Sequence, residues 1–217
     1  MDFETIMLEK KDGVARITLN RPDVLNAYNP TMSDELKEAV KDIRDDKDVR
    51  VVVITGTGKA FMSGADIDKT IKAWVELTKR GGRVKDEHKT NFSPNMLEDL
   101  PQPVVAAVNG YAFGFGCEIA LGCDFRVASE RARFGQPEIN LGIMCGGGGS
   151  VRLVHVIGKT KAMEMVLTGD PIDAQEAYRI GLVNQVVPPD KLEEAVDKLV
   201  EKLKNKGAIA LNSLRPQ

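Results

Sequence analysis

Tryptophan occurs once in this chain of 217 residues and histidine only twice, at His88 and His155, in unrelated segments that form no ligand cluster. The three cysteines, Cys117, Cys123 and Cys145, are odd in number and lack paired metal spacing. That pattern points to reduced, packed thiols rather than a disulfide framework or a zinc site. Charge excess is also missing: the net charge is −2 with no basic stripe, which argues against nucleic acid as the main partner. No apolar run is long enough to cross a bilayer, so no membrane partner is expected. The first residues, MDFETIMLEKKDG, are charged and strand-like rather than a signal peptide, so a cytoplasmic location is the expectation. The absence of a Gly-x-Ser-x-Gly elbow argues against a serine hydrolase.

What is present suits a folded domain. A hydrophobic share of 42% is enough for a core in a chain of this length. Phe3 to Lys10 and Val14 to Asn20 read as a hairpin around Lys11-Asp12-Gly13. Thr31 or Ser33 can cap a helix to about Asp46, with Leu36, Ala39, Val40 and Ile43 on one face. Val51 to Thr55 is a continuous apolar strand of the kind buried on both faces. The loop Gly56 to Asp66 leads into an apolar-periodic segment from Ile67, started by Ser63 or Asp66. Thr78 to Asn91 is polar and reads as a surface loop. Ser93-Pro94 opens a short helix, MCGGGG at Met144 to Gly149 is a further glycine turn, and a final amphipathic helix follows Pro188-Pro189. Strands and helices in this order make the fold class α/β.

Val104 to Gly142 carries the strongest chemical signal. A buried-strand pattern, Val104 to Val108, runs into a glycine-rich turn, Asn109 to Gly116, and then an apolar run holding one charge, Glu118. Glycine admits close backbone approach, and the N–H groups of a following helix start carry partial positive charge. Such a turn can hold a phosphate or a developing oxyanion. The nucleotide patterns fail on spacing, since Ile119 and Leu153 stand where each would need a small residue or glycine. A carboxylate among apolar neighbours is costly unless it is paired or used. Glu118 is therefore either a buried ion pair with a distant Arg or Lys or a chemical group. Glu138, after Pro137, is either a loop carboxylate satisfied by backbone donors or the second half of an acid–base pair.

The stretches ITLNRPDVLNA, VVVITGTGKAFMSGADI, PVVAAVNGYAFGFGCEIALGCDFRVAS, ARFGQPEINLGI and MEMVLTGDPIDAQEAYRIGLVNQVV resemble, in order and spacing, the crotonase superfamily of enoyl-CoA hydratases and isomerases. The resemblance covers about Val14 to Val187. It implies a spiral of strand–strand–helix units over residues 1–187, followed at 188–217 by one helix and a short end to a C-terminal helical cover. It implies an acyl-CoA substrate of fatty acid metabolism, with coenzyme A as part of that substrate, no separate cofactor and no metal. It also implies a homotrimer or a dimer of trimers. Glu118 and Glu138 match the catalytic pair of the hydratases. The N–H groups of Ala65 and Phe115 match the two oxyanion donors, although most relatives carry glycine at the second position. Val24, Ala65, Asp66, Ile67, Asp68, Phe115 and Gly146 match substrate-binding positions. Relatives often have Lys where Asp68 stands, and Met144-Cys145-Gly146 replaces a more usual Ile-Pro-Gly. Both glutamates present favour hydration of a 2-enoyl-CoA. A double-bond isomerase and a non-catalytic acyl-CoA-binding protein are the alternatives.

Overall fold

The computed structural model of the chain describes residues 2–72, 75–76, 91–207, 210–211 and 213. Most of the stretch read as a surface loop, Thr78 to Thr90, lies outside these residues, as do Trp74, His88 and most of the chain after Gly207.

Two sheets organise the molecule. The larger has six strands in the order β1 (Ile6–Lys11), β2 (Val14–Leu19), β3 (Val51–Gly56), β5 (Val104–Val108), β7 (Phe125–Ser129) and β10 (Gln185–Val187). Only the β1–β2 pair is antiparallel. Its turn needs two residues at positive φ, and Asp12 and Gly13 supply them at 51° and 78°. The smaller sheet runs β4 (Ala60–Met62), β6 (Tyr111–Phe113), β8 (Arg133–Gly135) and β9 (Ile172–Asp173). Three successive units repeat one plan. A strand in the large sheet turns into a short strand in the small sheet, and a helical segment follows. The third elements are the π-helical turn Ile67–Ile71, helix α3 (Phe115–Leu121) and the 3₁₀ turn Pro137–Leu141. This is the spiral of strand–strand–helix units that the resemblance implies.

The apolar runs of β3 and β5 bury both faces of the large sheet, as alternation of side chains requires. Val52, Ile54, Val104, Ala106 and Val108 join the main core with Met32, Leu36, Ala39, Val40 and Ile43 of α1 (Pro30–Asp45). Val51, Val53, Val105 and Ala107 face the other way, onto Leu192, Val196, Val200 and Leu203 of the last long helix, α7 (Leu192–Lys204). Helices α2 (Asn95–Glu98), α4 (Gly149–Ile157), α5 (Lys159–Thr168) and α6 (Ala174–Arg179) lie between.

Two local readings change, and one of two alternatives is selected. Helix α1 starts at Pro30, and its cap is Asn29, whose side chain accepts from Met32 N at 2.9 Å. Proline suits the first helical position, where its missing N–H would be unsatisfied anyway. Ser33 is buried instead, its hydroxyl accepting from the N–H groups of Asn91 and Phe92 at 2.7 and 3.0 Å. Strands β4 and β6 sit inside spans that read as glycine loops. Asp66, rather than Ser63, caps the turn at Ile67. Among the described residues no helix is long and apolar enough to cross a membrane, and no three His, Cys, Asp or Glu side chains are grouped to hold a metal.

Successive turns of the chain pack so closely that Gly110 and Gly116 have no room for a side chain. A Cβ at Gly110 would lie 1.9 Å from the Lys59 carbonyl oxygen, and one at Gly116 would lie 2.2 Å from that of Met62. Lys59 adjoins Ala60, which pairs with Tyr111, so its backbone cannot step aside cheaply. Gly110→Ala is expected to cost about 3 kcal/mol, the upper end of overpacking effects, in a urea unfolding titration.

Candidate active site

The small sheet delivers three chain segments to one place. Met62 pairs with Ala112, and Phe113 with Gly135, in parallel register. Two residues past that first pair, Gly64 and Gly114 touch, with a Cβ on Gly114 falling 3.8 Å from Gly64 Cα. Both have positive φ, 112° and 50°, so each turn requires glycine. Each is followed by one of the expected donors. Tyr28 N donates to Gly64 O and Asp66 N to Tyr28 O, both at 2.8 Å. In a parallel bridge of this kind the residue between, Ala65, turns its own N–H away from the pairing strand. Phe115 is the first residue of α3, where an N–H has no partner within the helix. The structure thus brings Ala65 and Phe115 side by side.

Glu118 stands one turn into α3 and is 1% exposed. Its Oε1 accepts from Gly147 N at 2.9 Å and Gly149 N at 2.7 Å. It makes no ion pair among the described residues. Arg126, its nearest cation in sequence, turns to carbonyls instead, donating to Ala120, Cys123 and Leu182. Burial raises the Glu118 pKa, while the two loop N–H groups and the charge of Arg152 restrain the rise. Glu138 approaches from the other side of the glycine turn, its Oε1 lying 3.1 Å from where a Gly114 Cβ would be. Burial, with a smaller push from Glu118, raises its pKa to about 7. Two buried carboxyl groups at one site are what paired acid–base work requires.

Gln136 joins the two and was missed in the sequence. Its amide is fully buried. With the nitrogen facing Glu138, which satisfies both ends of the amide, it donates to Oε1 at 3.0 Å and Oε2 at 3.1 Å. The same amide lies 2.4 Å from where a Gly149 Cβ would be, and Glu118 Oε1 lies 3.0 Å from that point. The available signal was the position itself: an uncharged amide two residues before a carboxylate, at the end of a strand.

The other expected positions divide. Asp66 serves the fold: its Oδ1 accepts from Asp68 N and Lys69 N, and its Oδ2 pairs with Arg21 at 3.2 Å. Val24, Ile67 and Asp68 are exposed beside it, and Asp68 pairs with Lys72 one turn on. Gly146 is exposed with nothing within 4 Å of a hypothetical Cβ; its neighbours Gly147 and Gly149 hold Glu118. The Phe115 ring stacks on Tyr28 at 4.1 Å and meets Phe92 edge-on at 6.4 Å. All three cysteines are buried thiols outside any disulfide. Burial raises the thiol pKa of Cys117 strongly and that of Cys145 to about 11, so both stay neutral beside the carboxylates.

Residues 9–217 match the family model described as enoyl-CoA hydratase/isomerase. A crotonyl-CoA hydratase of Syntrophomonas wolfei is 42% identical over 214 residues, 97% of this chain and 80% of the relative. Among solved structures, an enoyl-CoA hydratase from Bacillus anthracis is 38% identical with a TM-score of 0.87, covering 96% of this chain and 80% of that one. A monofunctional enoyl-CoA isomerase from M. smegmatis is 34% identical with a TM-score of 0.80, covering 97% and 90%.

The raised Glu138 pKa has a cost in stability with a definite sign. The ordinary value is 4.5 and the folded value about 7. Between them the folded state holds a proton that the unfolded chain has released, so stability falls as pH rises through that window. Glu138→Gln removes this penalty. Relative to the parent, the variant is expected to gain about 1–2 kcal/mol on going from pH 4.5 to pH 8, after allowance for partial solvent access. Thermal unfolding of both proteins at the two pH values measures it.

Proposed function

Because the chain belongs to the enoyl-CoA hydratase/isomerase family, we propose that it is an enoyl-CoA hydratase, adding water reversibly across the conjugated double bond of a 2-enoyl-CoA. One observation carries the reading: two carboxyl groups, each with its pKa raised by burial, flank the glycine turn that also presents the two adjacent backbone donors.

The thioester oxygen sits on the N–H groups of Ala65 and Phe115. Charge develops on that oxygen as water attacks the β-carbon, and losing one such donor typically costs roughly 2.7–4 kcal/mol of barrier. Glu118, its Oε1 held by two loop N–H groups, takes a proton from the water. Glu138, protonated up to about pH 7, gives a proton to the α-carbon. Gln136 holds Glu138 in place. The pair shares charge, so the two carboxyls titrate as one system. Water, the substrate and the two carboxyl groups balance the reaction, so the proposal needs no metal or redox cofactor, and coenzyme A enters only with the substrate. In this reading Val24, Ile67 and Asp68 meet the coenzyme A portion, and their exposure supports it. A homotrimer or dimer of trimers in the cytoplasm belongs to the same proposal. Exposed Ile139 and Leu141, with Leu167 on the helix packed against their turn, give a partner copy apolar surface to cover.

Phe115 shapes the acyl end. Its ring edge lies 2.9 Å from where a Gly147 Cβ would be, a point 2.5 Å from Glu118 Oε2. The ring therefore stands beside Glu118, backed by Tyr28 and Phe92, where its bulk favours short chains.

Loss of the conjugated-thioester absorbance of crotonyl-CoA tests the reaction. Turnover by the parent, reduced about 10²–10⁴-fold in both Glu118→Gln and Glu138→Gln, is expected. An isomerase would survive loss of one glutamate, and a binding protein would take up acyl-CoA without turnover. For the acyl wall, Phe115→Gly is expected to raise the kcat/KM ratio of 2-decenoyl-CoA to crotonyl-CoA roughly tenfold or more. An unchanged ratio removes Phe115 from chain-length selection.

A further inference from the structure

Behind the loop that holds Glu118 stands a guanidinium with its own anion. Arg152, on the first turns of α4, donates from Nη1 to the Gly147 carbonyl at 2.6 Å. It also fills the space over Gly148, where a Cβ would lie 2.2 Å from Nη1. Gly148 has φ of 93°, so no side chain competes for that space. The remaining fork closes on α2: Nε reaches Glu98 Oε1 at 2.6 Å and Nη2 reaches Oε2 at 2.9 Å, with Nη2 also bonded to Asn95 Oδ1. The Arg152 side chain is 13% exposed and that of Glu98 is 45% exposed.

We propose that Arg152 is a positioning residue for Glu118, acting through the Gly147–Gly149 loop, and that Glu98 sets how strongly its charge is felt there. The geometry supplies both parts. By fixing the Gly147 carbonyl from behind, Arg152 fixes the loop whose two N–H groups converge on Glu118 Oε1. Its positive charge favours the carboxylate form of Glu118, and Glu98 works against that by neutralising Arg152. The other groups facing Glu118 are Glu138, a like charge when ionised, the neutral thiols of Cys117 and Cys145, and the Gln136 amide. Arg152 is thus the cation in that surrounding. Its planar fork meets acceptors in different directions at once, which an ammonium cannot reproduce. The rate readout of this inference rests on the hydratase reading, whereas the titration readout does not.

The test compares the parent with Arg152→Gln, Arg152→Lys and Glu98→Gln by two measurements. The first is the carboxyl ¹³C titration of Glu118, assigned through Glu118→Gln. The second is kcat and KM for crotonyl-CoA across pH. Arg152→Gln is expected to move the Glu118 titration, and the acid limb of kcat, to higher pH. It should also lower kcat about tenfold or more with KM within threefold. Arg152→Lys keeps the charge and loses the fork, so kcat falls while the titration stays near that of the parent. Glu98→Gln moves the titration the opposite way, to lower pH. A Glu118 titration unchanged in both Arg152→Gln and Glu98→Gln overturns the proposal, as does a kcat within twofold of the parent in folded Arg152→Gln. Should Arg152→Gln fail to fold, the opposite sign expected of Glu98→Gln still decides. A parent that hydrates no enoyl-CoA rejects the hydratase reading alone, and the titrations then judge the role of Arg152.

Discussion

The contact between Gly64 and Gly114 sets the spacing of everything else in the site. Two loops from two turns of the spiral approach until their backbones touch, through turns whose positive φ values favour glycine. The parallel register of β4, β6 and β8 makes the contact repeatable rather than fortuitous. Each strand ends at the same level, and each hands over its site segment there: Gly64-Ala65, Gly114-Phe115, and Gln136 to Glu138. The adjacency of the two donors follows from pairings made elsewhere in the sheet. Rigid preorganisation of this kind is what makes backbone donors effective against developing charge.

The second constraint is the burial of a carboxylate. Glu118 sits at 1% exposure in a helix whose other buried residues are Gly116, Cys117, Ile119, Ala120 and Leu121. Taking an unpaired carboxylate out of water is prohibitive, so something must hold it. Here the holding is done by two backbone N–H groups rather than by an ion pair, with the compensating cation one layer further out. Oε1 takes both N–H bonds from the loop, and among the described residues no hydrogen bond engages Oε2. A direct Arg–Glu pair would have locked the carboxylate into structure. Arg126 shows that alternative use of a buried cation, since its guanidinium is spent on carbonyls at the end of α3.

Long elements were legible in the sequence because their patterns are long. Val51 to Thr55 and Val104 to Val108 announce strands buried on both faces, and α1 and α7 announce their apolar stripes. The small sheet was not legible. Strands β4, β6 and β8 are three residues each, too short for any period to register, and two of them lie within glycine-bearing spans that read as loops. The glutamates were visible because charge is rare in apolar runs. Gln136 and Arg152 were not, because a neutral amide and a surface-type cation announce nothing until the fold shows what they touch. Asn29 was passed over as a cap because the proline after it reads as a breaker, although at the first helical position it is a starter.

The chain enters and leaves the span between Ile71 and Asn91 from fixed points. On one side the Thr70 hydroxyl donates to Tyr28 O at 3.3 Å, and on the other the N–H groups of Asn91 and Phe92 reach Ser33. Both ends of the interval are therefore tied to the same short piece of chain, Tyr28 to Ser33, and a break between them would leave each end fastened to the scaffold.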